Sequence, residues 1–126
     1  MKEDMAEKFL TGNSFPINLI RRRVEIIPET LSHYRERLSE GCWASYWGHG
    51  NTLSIAHDVC GYDLTPQSER PALTLDSEGY PQLYGERYRE CWVLSPEYRQ
   101  GFRPALKSEV SPEEILSWQI LKIIWV

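Results

Sequence analysis

The closing run Trp118-Gln119-Ile120-Leu121-Lys122-Ile123-Ile124-Trp125-Val126 is interrupted only by Gln119 and Lys122. It is far shorter than the ~20 apolar residues that a membrane-spanning helix needs. It also lacks the strict alternation of a strand with one wet face. A run of this kind fits a strand in the interior of a sheet, or one covered by a partner. The rest of the chain must therefore supply neighbouring strands and layers to cover their faces.

Several segments meet that demand. Lys8-Phe9-Leu10-Thr11 reads as a short strand ending at the turn pair Gly12-Asn13. Val24-Glu25-Ile26-Ile27 is rich in β-branched residues and is expected to stop at Pro28. Cys42 to Trp47, Ala72 to Leu75, Gln82 to Tyr84 and Glu90 to Leu94 complete the set of strands. Phe15 to Ile20 is apolar with an early proline and reads as one helical turn or an irregular packed segment. From Glu29 to Glu40, Leu31, Tyr34 and Leu38 recur at helical spacing, with Gly41 as the stop. From Gly50 to Cys60, Leu53, Ala56 and Cys60 share a helix face, and Gly61 is placed to close it in the left-handed conformation. Ser95 to Lys107 reads mostly as loop, and Ser111-Pro112-Glu113-Glu114 as a capping box opening a short helix. Residues 1–7 read as a flexible tail. The expected fold is a single α/β domain over 8–126, with a mixed sheet of about five strands and two or three packed helices.

Composition narrows the function classes. The 126 residues suit one domain. A net charge of -4 argues against nonspecific binding of duplex DNA. The arginines nevertheless cluster, at Arg21-Arg22-Arg23, at Arg35 and Arg37, at Arg87 and Arg89, and at Arg99 and Arg103. Each cluster reads either as a solvated face or as a local anion site. Aromatics are 12% of the chain, which suits core filling and a partner surface. Cys42, Cys60 and Cys91 are odd in number and far apart, the pattern of buried thiols in a reducing cytoplasm. His49 and His57 are about two helical turns apart, too far for a metal pair at adjacent turns. The opening MKEDMAEK lacks the apolar core of a signal peptide, and no run is long enough for a membrane span. A soluble cytoplasmic protein without metal or cofactor is the expectation.

The densest chemistry lies at Trp47-Gly48-His49-Gly50-Asn51-Thr52, which leaves a strand and opens a helix. Helix N-termini at the ends of strands present free N–H groups to anions. Gly48 and Gly50 allow close approach of a ligand to the backbone. Asn51 and Thr52 can cap the helix or donate to phosphate oxygens. His49 then stands where a phosphate docks, suited to protonate a leaving alkoxide. The same residues also read as a plain turn with an orienting histidine, and the local motif leaves both readings open.

The order of motifs resembles the anti-CRISPR ring nucleases of archaeal viruses and their bacterial relatives. The resemblance rests on Asn13-Ser14-Phe15-Pro16-Ile17-Asn18-Leu19, on Gly48-His49-Gly50-Asn51-Thr52, and on Cys60-Gly61-Tyr62-Asp63-Leu64. An arginine ahead of a strand, matched to Arg70, and a late strand, acidic helix and terminal strand complete it across most of residues 9 to 126. It implies a metal-independent homodimer that binds cyclic tetra-adenylate, the second messenger of type III CRISPR defence, across its two-fold axis. It implies attack by a ribose 2′-hydroxyl on the adjacent phosphorus, with His49 as general acid. Asn13, Gly48, Gly50, Asn51, Thr52 and Arg70 would bind the ring. The chain departs from the family pattern at Pro16, where serine is common, and after the late strand. There Glu97 and Gln100 stand where the family places arginine and glutamate, so Arg99 or Arg103 would supply the charge. A non-catalytic binder or sensor of cyclic nucleotides, and a dimeric interaction protein that kept only the fold, are the competing readings.

Overall fold

A computed structural model describes residues 8–48, 52–68, 71–98, 113 and 115–126. Its strands are β1 (Phe9–Gly12), β2 (Val24–Glu29), β3 (Trp43–Ser45), β4 (Thr74–Leu75), β5 (Pro81–Leu83), β6 (Glu86–Arg87), β7 (Glu90–Tyr98) and β8 (Ile115–Trp125). The helices are α1 (Leu31–Ser39) and α2 (Leu53–Cys60), with a 3-10 turn at Ile17–Leu19. The main sheet has the order β2-β8-β7-β1-β3, and β4-β5-β6 form a second sheet. In the main sheet β1 is parallel to β3 and β7, while β8 is antiparallel to β7 and β2. The architecture is thus a mixed five-stranded sheet in a single α/β domain, with two helices and an additional small sheet. The apolar closing run lies inside the main sheet, as β8.

Alternation along the strands builds a core on each face. Phe9, Trp92, Leu94 and Ile120 point to one side, against Tyr34 and Leu38 of α1 and Ala56 and Cys60 of α2. Leu10, Cys91, Val93, Ile123 and Trp125 point to the other, against Tyr80, Leu83 and Tyr88 of the small sheet and its flank. A helical layer and a β layer therefore sandwich the main sheet, which explains strands apolar on both faces. Thr11 and Tyr34 share a buried hydrogen bond of 2.6 Å that ties α1 to β1.

Local chemistry sets the element ends. The Thr30 hydroxyl accepts from the His33 amide and caps α1. Gly61 follows α2 with φ 84° and donates its amide to the His57 carbonyl, the expected left-handed cap. Two prolines expected to interrupt strands lie inside them. β2 runs through Pro28 because β2 is an edge strand, whose outer side needs no N–H donor. β7 continues past Leu94 to Tyr98, correcting the expected loop from Ser95. Its pairing with β1 reaches only Val93, so among the described residues Pro96 has β8 as its one strand neighbour. Tyr84 is not in a strand. With φ 51° at Tyr84 and 81° at Gly85, the two form a tight turn between β5 and β6. The expected tail at residues 1–7 and the Ser111-Pro112-Glu114 part of the capping box lie outside the described residues.

A Cβ added at Gly12 would lie 2.6 Å from the Tyr46 ring, itself held by a 2.7 Å hydrogen bond to the Ser14 carbonyl. Gly12→Ala must displace that ring. We expect a loss of ~1–3 kcal/mol, the usual cost of overpacking, read as a lower urea midpoint at unchanged slope. An unchanged midpoint would contradict this packing. The Cys91 thiol is pushed up to about 12 by burial, which outweighs its hydrogen bond with Tyr46. Burial also raises the Cys60 thiol, whereas Cys42 is half-buried. In native protein at mildly alkaline pH, Cys42 should therefore be the one thiol that reacts quickly with an aromatic disulfide reagent. Rapid reaction of Cys60 or Cys91 would contradict the core assignment.

Candidate functional site

Because β1, β3 and β7 are mutually parallel, their carboxyl ends meet at one end of the main sheet. The chain leaves β1 and returns on one side as β3, after β2 and α1. It then crosses through α2 and the small sheet to return on the other side as β7. Such a reversal of direction about one strand opens a crevice at the strand ends.

Asn13, directly after β1, organises this crevice. Its Oδ1 accepts the Gly48 amide at 3.0 Å. Its carbonyl accepts the Ser95 hydroxyl of β7 at 3.3 Å. The Tyr46 amide donates to the Thr11 carbonyl at 2.9 Å. The three strand ends are thus fastened to one another just before the junction. A Cβ on Gly48 would meet Asn13 Oδ1 at 3.4 Å, an ordinary contact. Packing inside the protein therefore does not demand glycine at this exposed position.

Beyond Gly48 lies a cavity of about 300 Å³. Trp47, Gly48 and Leu53 line one side, and the link Thr65-Pro66-Gln67-Ser68 lines the other. Trp47 is 1% exposed, and its indole N–H has no acceptor among the described residues. An unpaired buried donor costs on the order of 1–3 kcal/mol, so its place beside a candidate ligand site is notable. The link is anchored at both ends. Asp63 Oδ1 accepts the Thr65 amide at 3.0 Å, and Tyr84 Oη accepts the Ser68 amide at 3.2 Å. The hydroxyl and amide of Thr65 hold the Asp63 carboxyl below its ordinary value, so it stays charged 3.3 Å from His57 Nε2.

At the start of α2, Thr52 occupies the cap position with φ -120° and ψ 0°, and its side chain makes no capping bond. No acidic residue lies in the first turn. The positive end of the helix dipole is therefore neutralised neither by a capping oxygen of Thr52 nor by a first-turn carboxylate. Thr52 is itself buried, so its hydroxyl faces the interior rather than open solvent.

Of the residues singled out in the sequence, Asn13 and Gly48 are in direct contact, and Thr52 precedes Leu53 at the cavity. His49, Gly50, Asn51, Arg70, Arg99 and Arg103 lie outside the described residues, as does Gln100. Glu97 lies on β7 and accepts a hydrogen bond from Ser117 of β8. The contributions of Ser95, the Trp47 indole and the 65–68 link were not foreseen. Trp47 was expected at the strand end that opens the junction, with no role for its indole, and the polar link carried no sign that it folds back beside the junction. Among the described residues, no three His, Cys, Asp or Glu side chains gather to hold a metal ion, and no helix is long and apolar enough to cross a membrane.

Replacing Asn13 by alanine removes the acceptor of the Gly48 amide. We expect the latch to weaken by ~1 kcal/mol, with faster hydrogen exchange at Gly48 and little change at buried Leu10. Equal exchange at Gly48 in both proteins would contradict the latch.

No protein-family model matches the sequence, and no curated protein matches it. Among solved structures the chain is similar to B116 of Sulfolobus turreted icosahedral virus (STIV), with a TM-score of 0.55 and 16% sequence identity, over 96% of this chain and 100% of that chain. At that identity the likeness establishes the fold alone: the chain folds like a protein of an archaeal virus.

Proposed function

We propose that the chain is a metal-independent ring nuclease that opens a cyclic oligoadenylate, with cyclic tetra-adenylate as its substrate, at the junction of residues 48 to 52. The observation that carries this reading is the Asn13–Gly48 latch, at the shared carboxyl ends of parallel strands and beside the start of α2. It holds the backbone leading into the His49 motif against β1, at the sheet end where α/β folds bind ligands. A helix start that the Thr52 side chain does not cap favours a phosphodiester there.

The chemistry is a transesterification. The ribose 2′-oxygen forms a bond to the adjacent phosphorus and gives up its proton to solvent water, the bond from phosphorus to the 5′-oxygen breaks, and His49 gives its proton to that leaving oxygen. Linear product then carries a 2′,3′-cyclic phosphate. Positioning and charge stabilisation supply much of the rate in such reactions. Arg70 and either Arg99 or Arg103 would bind further phosphates. Two copies about a two-fold axis match the repeating ring, so a homodimer is the working assembly.

One observation favours a binder that does not cleave. Glu97 stands where the resembled family places arginine, and its carboxylate is engaged by Ser117. Pro16, with φ -66°, likewise offers no N–H where a serine is usual.

Incubation with a panel of cyclic oligoadenylates in EDTA separates these readings. We expect linear product from the native protein. His49→Ala should still bind and cleave ~10²–10⁴-fold more slowly, the usual contribution of a general acid. Tight binding with intact ring recovered supports the binder, and absence of binding rejects both. Full activity in His49→Ala would remove His49 from its assigned role.

A further inference from the structure

The opposite end of the main sheet carries a second concentration of charge. Three strands that run in the same direction, β1, β2 and β7, begin there, and a cation directly precedes each: Lys8, Arg23 and Arg89. The end of β8 lies between Arg23 and Arg89, with the Val126 amide donating to the Arg23 carbonyl at 3.0 Å and the Trp125 amide to the Arg89 carbonyl at 2.9 Å. At ~4.8 Å per strand, Arg23, Arg89 and Lys8 form a row ~15 Å long across the sheet end.

This end is unlike the rest of the surface. Elsewhere Arg37 meets Glu90 and Lys122 meets Glu29, whereas within this corner Arg87 alone of the arginines is paired, with Asp76 and Glu78. Among the described residues Arg21, Arg22, Arg23, Arg35 and Arg89 have no carboxylate partner; Arg22 is held by backbone carbonyls, and only Arg35, on α1, lies away from this corner. Within the row, Lys8 is held by Glu86. The chain as a whole is acidic, at -4, so the unpaired group here is a local reversal of sign.

The corner is also built rather than incidental. Tyr80, which is buried, stacks with the guanidinium groups of Arg22 at 4.2 Å, Arg87 at 4.5 Å and Arg89 at 4.9 Å. Arg22 donates to the carbonyls of Glu78 and Val126 and lies close over Gly79, where a Cβ would meet its stem at 3.0 Å. The segments 21–23 and 87–89, far apart in sequence, are thereby drawn around one ring. Beside them is a cavity of about 300 Å³ lined by Lys8, Arg89, Glu90, Ile124 and Trp125.

We infer that Arg21, Arg23 and Arg89, the exposed arginines of this corner without a carboxylate partner, form a docking track for the phosphodiester backbone of a single-stranded nucleic acid. Guanidinium groups suit phosphate oxygens by shape as well as charge. Cations beside a cavity lined in part by Ile124 and Trp125 match how single strands are held, with phosphates on charge and a base against an apolar wall. The narrow width of the track, against an otherwise acidic surface, disfavours a rigid duplex.

The test is the binding of a fluorescent linear oligouridylate of about 12 nucleotides, within the ~4–16 that single-strand sites span. With three phosphate contacts, native affinity should fall ~20-fold between about 50 and 200 mM salt. In the double variant Arg23→Gln, Arg89→Gln, one contact remains and the fall over that range should shrink to ~3-fold. Arg21→Gln with Arg23→Gln, which leaves the Tyr80 stack intact, should give the same shallow dependence. Thermal melting of each variant separates lost binding from lost fold, and Arg35→Gln should bind as the native protein does. No binding by the native protein, an unchanged salt slope in the folded variants, or an equal loss in Arg35→Gln overturns the assignment. Displacement of the oligouridylate by an equimolar cyclic tetra-adenylate would assign binding to the junction instead. Equal competition by polyglutamate of the same charge would point to an acidic protein, and either result rejects the track.

Discussion

The parallel pairing of β1 between β3 and β7 decides where everything else in this molecule can be. β1 is four residues long and buried throughout. It has a neighbour on each side and a core on each face, so neither its register nor its direction can change without moving a whole set of apolar side chains. Parallel alignment brings the carboxyl ends of three strands together at one end. There Asn13 fastens Gly48 and Ser95 into a crevice beside α2. The amino ends of β1, β2 and β7 gather at the other, where Lys8, Arg23 and Arg89 form a row.

The two ends differ in how charge is handled. At the carboxyl end positive potential comes from backbone, through amides at the start of α2 that no Thr52 capping bond satisfies. Such a source is directional and acts over a single turn, which suits one phosphate held in a fixed orientation. At the amino end it comes from the guanidinium groups of Arg21, Arg23 and Arg89, of which Arg89 lies over Tyr80, and such separate side-chain charges suit a repeating anion. The proposed function uses the first for chemistry on a phosphodiester, and the inferred track uses the second to hold a chain of them.

Much of the main sheet was legible in the sequence, because its strands are apolar on both faces and α1 and α2 carry clear stops at Gly41 and Gly61. The internal place of β8 followed from its own composition. The prolines misled for one reason. Pro28 and Pro96 lack a donor and so read as breaks, yet both occupy stretches with a strand on one side only. The small sheet was harder to see. β4 and β6 are two residues each, and β6 is Glu86-Arg87, with no apolar signal at all. Its turn depends on Tyr84 taking a positive φ, which a strand-like composition disguises. Within the site, the Trp-Gly-His-Gly-Asn-Thr junction stood out by its residues. The partners that shape it, Ser95 and the 65–68 link, come from distant segments, and only the topology brings them to the crevice.

The account turns on whether a cyclic adenylate ring occupies the crevice at Gly48. The most direct measurement is a nuclear magnetic resonance titration of the His49→Ala protein with cyclic tetra-adenylate, following the Gly48 amide, the Asn13 side chain and the Trp47 indole N–H. The account predicts saturable shifts at all three, with the unpaired Trp47 proton among those that respond. Saturable shifts confined to other parts of the molecule, or no shifts at all, would contradict it.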